Sequence, residues 1–286
     1  MISVLILTRN EERDLPGCLQ SVAWSDDVHV LDSFSSDRTC EIARGAGAKV
    51  TQRVFDDWSS HQNWALANIP FLYPWVFYLD ADERVSPELA SSLAEAVKCC
   101  DDCVAYRVRR RDFWGERWLK HAVASSFYLR LFRPEKMRYE RLVNPLSIPD
   151  GPAGELDGYL DHHPFSKGIS HWLDRHNSYS SFEAREASHV SPLNLRGLFS
   201  RDFNRRRSQQ KELFYRLPAR PALKFFLLYL GKLGFLDGAA GLRYALLQSF
   251  YEYVIVLKSQ EIKRAAPLSA SPVPLRDLHA NPGFDD

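Results

Sequence analysis

The chain has 286 residues, 45% of them hydrophobic and 26% charged, which supports a packed core and excludes wholesale disorder. A net charge of +1 gives no general affinity for polyanions, so nucleic acid is not an expected partner. Five cysteines, odd in number and irregular in spacing, exclude a disulfide framework and point to reduced thiols in the cytoplasm.

Residues 2–7 read as a fully buried strand rich in branched apolar side chains, and no secretory leader is expected. The polar loop Thr8-Arg9-Asn10-Glu11-Glu12 follows, then a helix over 15–22. Residues 27–31 read as a second strand ending at Asp32-Ser33-Phe34-Ser35-Ser36-Asp37, where Ser36 or Asp37 caps a helix over 38–45. A strand over 49–54, a helix over 59–68 and a strand over 75–79 complete the series. Alternating strands and helices imply βαβ units, a parallel sheet and right-handed crossovers. The carboxyl edge of such a sheet then gathers residues 8–11, 32–37 and 80–83, and ligands bind at that edge in open α/β sheets. Asp80-Ala81-Asp82 ends the apolar run Trp75-Val76-Phe77-Tyr78-Leu79. Two carboxylates on this rim suit a hard divalent cation shared with substrate phosphates. The plainer reading is an acidic strand-to-helix turn, with Ser86-Pro87-Glu88 opening the next helix.

Residues 103–111 and 126–133 alternate apolar and basic side chains, as half-exposed strands do. Between them Trp114, Trp118, Lys120 and His121 combine aromatic faces with charge, which suits stacking on a sugar and gripping phosphate. Core packing is the alternative for the tryptophans. Cys99-Cys100-x-x-Cys103 has no second Cys or His pair at a suitable spacing, so zinc is not expected. Residues 144–168, rich in Pro and Gly, read as loop, and 169–190 as helix. From about residue 194 the chain changes character. Nine basic residues between Arg196 and Lys224 precede an apolar stretch over 225–230, a glycine-punctuated hinge over 231–241 and a second apolar stretch over 244–257. No run of 18 uncharged apolar residues occurs, so no spanning helix is expected. Basic charge beside apolar helices suits an anionic membrane surface, and a packed hairpin with a solvated basic face is the alternative. The tail from Ala265 reads as poorly ordered.

Four motifs, in this order and spacing, resemble the family 2 glycosyltransferases of GT-A fold, of the lipopolysaccharide-core and exopolysaccharide glucosyltransferase type. They are the opening Ser3 to Glu12, the turn Asp32 to Thr39, the helix His61-Gln62-Asn63-Trp64-Ala65-Leu66 and Asp80-Ala81-Asp82-Glu83-Arg84. The resemblance implies an α/β fold: a GT-A nucleotide-binding sheet over 1–165 flanked by helices. A helical, membrane-associating appendage over 166–264 and a tail over 265–286 complete the chain. It implies that Thr8, Asn10 and Glu11 line the nucleotide pocket, with Gln62 and Asn63 near the diphosphate. Asp32 would accept from the base or ribose, and Asp37 would order its loop. Asp80 would face the ribose or the metal, and Asp82 would coordinate Mn2+ or Mg2+. His162, of His162-His163, stands for a late metal ligand or an exposed histidine, and Trp114, Trp118 and Lys120 for acceptor contacts. The resemblance breaks where many relatives carry a His-Glu pair, because Asn144-Pro145 stands there instead. Glu140, Asp150 and Glu155 remain as candidate bases, with Glu140 favoured because it adjoins the strand. The implied activity is inverting, metal-dependent transfer of a hexose from a nucleotide-diphosphate sugar to a lipid-linked glycan, at the inner face of the cytoplasmic membrane. A sugar nucleotidyltransferase and a non-catalytic sugar-nucleotide-binding protein are the rivals. The first usually opens with a Gly-rich phosphate loop, and here Gly17 stands alone.

Overall fold

The structure is a computed structural model that describes residues 1–98, 102–140, 145–188, 209, 213–217 and 219–265. Strands β1 (Ser3–Thr8), β2 (Val28–Asp32), β3 (Lys49–Gln52) and β4 (Val76–Asp80) alternate with helices α1 (Leu15–Ser21), α2 (Thr39–Gly45) and α3 (Trp58–Asn68). These four strands are parallel, in the order β3-β2-β1-β4. Every residue of β1 is buried, because helices cover both faces of a parallel sheet. Alternation then splits the core: Val4 and Ile6 join Leu15, Leu19 and Leu89 on one face, while Leu5 and Leu7 join Ala65 and Ile69 on the other.

Beyond β4 the sheet is mixed, and the two half-exposed strands expected over 103–111 and 126–133 belong to this part. Strand β5 (Glu83–Val85) and helix α4 (Pro87–Ala96) precede β6 (Ala105–Trp114), the short β7 (Arg117–Trp118) and β8 (Phe127–Phe132). Strand β8 runs antiparallel to both β4 and β6. Strands β9 (Met137–Glu140) and β10 (Leu146–Pro149) form a separate antiparallel ribbon. Strand β11 (Ala153–His162) lies parallel to β6 and antiparallel to β5.

The expected loop over 144–168 is therefore overturned, since ten of its residues form a sheet strand. Glycine there serves close packing. Gly158 has φ +93°, and a Cβ on it would lie 2.4 Å from the backbone nitrogen of Leu89 on α4. Gly154 likewise leaves room for the ring of Tyr106. A register shift between Glu155 and Tyr159 takes up the irregular backbone. The helix starts also differ in one case. Ser86 caps α4 by accepting from Leu89 N–H, as expected, but Arg38 occupies the cap of α2, and Asp37 reaches Thr39 N–H from one residue earlier.

The chain forms two compact units, residues 1–172 with 227–245 and residues 173–226 with 246–286. Helix α5 (Gly168–Ser188) carries the chain from the first unit into the second. Helix α6 (Arg220–Phe226) belongs to the second, where Arg220 is buried and pairs with Glu252 at 3.4 Å rather than facing solvent. Residues 227–245 return to the first unit and include a one-turn helix, Gly234–Asp237. Helix α7 (Gly238–Ala265) follows. No single described helix is long and apolar enough to cross a membrane; Arg220–Gly231 and Gly234–Ala265, bent by 71°, have that length and composition only as a pair. Most of the basic stretch from residue 196, and the tail after 265, lie outside the described residues.

Candidate active site

Strand register sets the site's first row. Gln52, Asp32 and Thr8 stand side by side at the carboxyl ends of β3, β2 and β1. Asp32 is fully buried and accepts from Thr8 Oγ1 (3.0 Å), Gln52 Nε2 (3.0 Å), Ser35 N–H (2.9 Å) and Ser35 Oγ. Burial opposes its charge, yet these bonds hold its pKa below the usual carboxylate value. Two oxygens offer about four lone-pair sites, and four donors fill them. Asp32 thus organises its own loop, and a base or ribose donor would have to displace one of these partners.

The loop after β1 is fastened to the loop after β2. Asn10, at φ +55°, donates its N–H to Ser35 Oγ and accepts from Ser36 N–H, both at 2.8 Å. Asp37 accepts from Thr39 N–H and from Glu12 N–H. Lys167 reaches across from the segment after β11 to Glu11 and to the carbonyl of Asn10, each at 2.6 Å. Burial pushes the Glu11 carboxyl up to about 7 despite Lys167, and among the described residues its Oε2 has no hydrogen-bond partner. This rim, with buried Gln62, is where sequence places the nucleotide. Asn63 differs: its amide donates to the carbonyl of Tyr139 and accepts from Tyr139 N–H, both at 2.8 Å. It stitches α3 to β9.

A second row builds the acidic cluster. Glu83, His162 and Asp112 are register neighbours on β5, β11 and β6. His162 Nδ1 pairs with Asp112, and its Nε2 lies 3.4 Å from Asp82 Oδ2. Burial works against a charged imidazole, but Asp82 and Asp112 outweigh it and raise the His162 pKa to about 9. Asp80 receives the Tyr78 hydroxyl (2.6 Å) and Arg130 Nη2 (2.9 Å), and Arg130 also binds Glu83 at 2.6 Å. Glu83 is fully buried, which pushes its carboxyl upward while Arg130 pulls it down. Its other oxygen accepts Asp80 N–H at 3.0 Å.

Among the described residues no group of three or more His, Cys, Asp or Glu encloses a cation, and Cys99 and Cys100 fall outside them. The pair of Asp82 and His162 nonetheless fits a divalent ion that takes its remaining ligands from a diphosphate and water. A ligand imidazole is commonly braced at its other nitrogen by a carboxylate, and Asp112 stands in that place.

The other expected residues have contacts of their own. Glu140 is exposed and pairs with Arg138 at 3.2 Å. Trp114 packs on Phe165 with ring centroids 4.2 Å apart. Trp118 lies 5.7 Å from the ring of Tyr159, with Arg111 and Lys120 over its face.

Residues 3–154, more than half of the chain, match the sequence profile of glycosyl transferase family 2. The chain belongs to this family. As a family 2 glycosyltransferase it is 27% identical to the lipopolysaccharide core biosynthesis glycosyltransferase LpsC of Rhizobium meliloti, over 86% of this chain and 89% of that one. An uncharacterised glycosyltransferase of Rickettsia typhi is 25% identical over 65% and 67% of the two chains. A solved structure, glucosyl-3-phosphoglycerate synthase from Mycobacterium tuberculosis with Mn2+, UDP and glucosyl-3-phosphoglycerate, is 22% identical with a TM-score of 0.34. That likeness covers 39% of this glycosyltransferase and 44% of the mycobacterial chain, so under half of that protein is spanned.

Sequence reasoning missed Arg130, Asp112 and Lys167. Arg130 had a legible signal: an arginine inside the apolar strand FYLRLF at a position facing the core. Asp112 and Lys167 had none, because only register and chain return bring them to the edge.

Proposed function

We propose that this glycosyltransferase moves a hexose, with inversion, from a nucleotide-diphosphate sugar to a hydroxyl of a lipid-linked glycan. The observation that carries the reading is the convergence of Asp82 with His162, braced by Asp112, beside the rim of Thr8, Asn10 and Glu11. Asp82 and His162 would hold Mn2+ or Mg2+, which when bound neutralises charge developing on the departing diphosphate. His162 must give up its proton to ligate, so cation and proton compete there. Asp80, fixed by Tyr78 and Arg130, faces the donor as a preset acceptor. Thr8 and Asp32 keep the nucleotide rim in one geometry. Burial of the cluster keeps water from competing with the acceptor.

The membrane-bound acceptor rests on surface chemistry. Among the described residues, 14 of 23 exposed large hydrophobic side chains lie between Leu213 and Leu257, including Phe226, Leu230, Phe235, Leu246 and Phe250. Exposed apolar side chains recur along this stretch, and Lys224, Lys232 and Arg243 stand among them in the sequence, a composition that suits an anionic membrane surface. On this reading the protein works peripherally on the inner face of the cytoplasmic membrane. The near full-length likeness to a lipopolysaccharide core glycosyltransferase supports the same acceptor class.

The test is a melting-temperature panel of nucleoside diphosphates and nucleotide sugars with and without Mn2+, since a ligand that binds only the folded state raises Tm. One nucleotide sugar stabilising the protein more with Mn2+ than without is expected. No shift with any of them overturns the reading. Sedimentation with anionic liposomes at low salt, partly reversed by salt, is the expected membrane result.

A further inference from the structure

Attack by an acceptor hydroxyl requires a base, and the expected Glu140 is an exposed residue already paired with Arg138. Asp150 pairs with Lys136, and Glu155 stands in register with Arg107, seven residues before His162, so roughly 20 Å from the carboxyl edge at a strand's rise per residue. His162 is held between Asp112 and Asp82.

A different dyad stands in the first unit. Asp237, 3% exposed, accepts from His121 N–H (2.9 Å) and Ala122 N–H (2.7 Å), and its other oxygen lies 2.7 Å from His121 Nδ1. The carboxylate fixes the imidazole's orientation and places the proton on Nδ1, so Nε2 carries the free lone pair. The His121 side chain is 31% exposed, open enough to meet a substrate. The segment joins the site directly, because Leu119 N–H donates to the carbonyl of Asp112 at 2.9 Å. Its packing is exacting. A Cβ on Gly234 would fall 2.5 Å from the carbonyl of Leu228 and 3.3 Å from Ala122 Cβ, and Leu233 before it holds φ +58°. The turn that looked like a hinge beside a membrane helix thus delivers a buried carboxylate to one histidine.

We propose that His121 is the general base of the transfer and Asp237 its positioning residue, an assignment that rests on the glycosyl-transfer function above. Nε2 takes the hydroxyl proton as the oxygen bonds to the anomeric carbon, and the bond from that carbon to the diphosphate oxygen breaks with its electron pair leaving on the diphosphate. A base oriented by a third group is the recurrent form of such catalysis.

The experiment follows release of nucleoside diphosphate from a panel of nucleoside-diphosphate hexoses, with water as acceptor, using the full chain. His121→Asn keeps a donor for Asp237 and has no basic nitrogen. It is expected to lower kcat by about 10²–10⁴-fold, with donor affinity and Tm near those of wild type. His121→Ala should regain part of that rate when imidazole is added, a rescue that a structural role would not show. Glu140→Gln should keep the wild-type rate. Full kcat in His121→Asn, absence of imidazole rescue, or loss of rate in Glu140→Gln overturns the assignment to His121 alone. A wild-type protein that neither binds nor consumes any nucleotide sugar overturns the function itself, and the assignment with it.

Discussion

Asp32, at the end of β2, is held by four hydrogen-bond donors, two from neighbouring strand ends and two from the loop that follows. Asp80, one strand beyond β1, is held by a buried guanidinium and a phenol, with Glu83 on the same arginine. The first arrangement lies within the parallel half of the sheet, and the second ties its last strand, β4, to Arg130 of β8 and Glu83 of β5 in the mixed half. In the parallel half each polar group follows its own strand and finds partners nearby in register. In the mixed half the groups lie within strands or arrive from remote segments, and they are matched as charges in a buried setting. Neutral donors lose little when one is removed, whereas a buried ion network leaves an uncompensated charge.

The largest effect should fall on Asp82, the acid beside Nε2 of His162. Asp82→Ala is expected to reduce transfer by more than about 10³-fold while leaving Tm near wild type, because it removes one of few protein ligands for the cation. Wild-type turnover by the folded variant would remove Asp82 from the chemistry. Next comes Arg130→Met, which takes the guanidinium from Asp80 and leaves Glu83 only the more distant Arg110, at 3.8 Å, as an ion-pair partner among the described residues. A loss of about 3–5 kcal/mol in urea unfolding is expected, and a loss under about 1 kcal/mol would show that the network is not what the mixed half depends on.

Acid should discriminate the halves in a third way. At the opposite end of β2, Asp27 is buried; burial opposes its charge, but Lys49, Ser3 and the N–H of Leu72 hold its pKa at about 2, below the ordinary 3.8. A depressed carboxylate stabilises the fold above its unfolded value and loses that contribution as pH falls. About 2 kcal/mol should therefore disappear between pH 4 and pH 2 in the wild type and be missing from Asp27→Asn. An identical acid limb in both proteins would refute this. Asp32→Ala should cost roughly 1–3 kcal/mol, the range for unpaired buried donors, and weaken nucleoside-diphosphate binding by loosening the rim. A calorimetric Kd equal to wild type would separate loop order from binding. Glu140→Gln, at an exposed residue paired with Arg138, should shift stability by less than about 0.5 kcal/mol.

The parallel half was legible because its signals are local. Apolar runs of four residues mark β1 and β4, β2 is apolar up to Asp32 apart from His29, and each is followed by the acidic or polar loop that the fold then uses. In the mixed half the alternation of apolar and basic residues marked β6 and β8, but β11 was not legible. Strand β11 carries Gly154 and Gly158, which composition reads as loop, yet the first accommodates Tyr106 and the second Leu89 of α4. That close approach is invisible until the partner helix is placed.

The sequence by itself therefore determined the βαβ series, the acidic ends of its strands and the family they resemble. A buried parallel strand and its flanking turn are encoded within a dozen residues. Only the tertiary structure decided that His162 meets Asp112 and Asp82, that Arg130 joins Asp80 to Glu83, and that Asp237 reaches His121 from 116 residues away. Those pairings follow from strand register and from chain return, and neither leaves a periodic trace in the residues it joins.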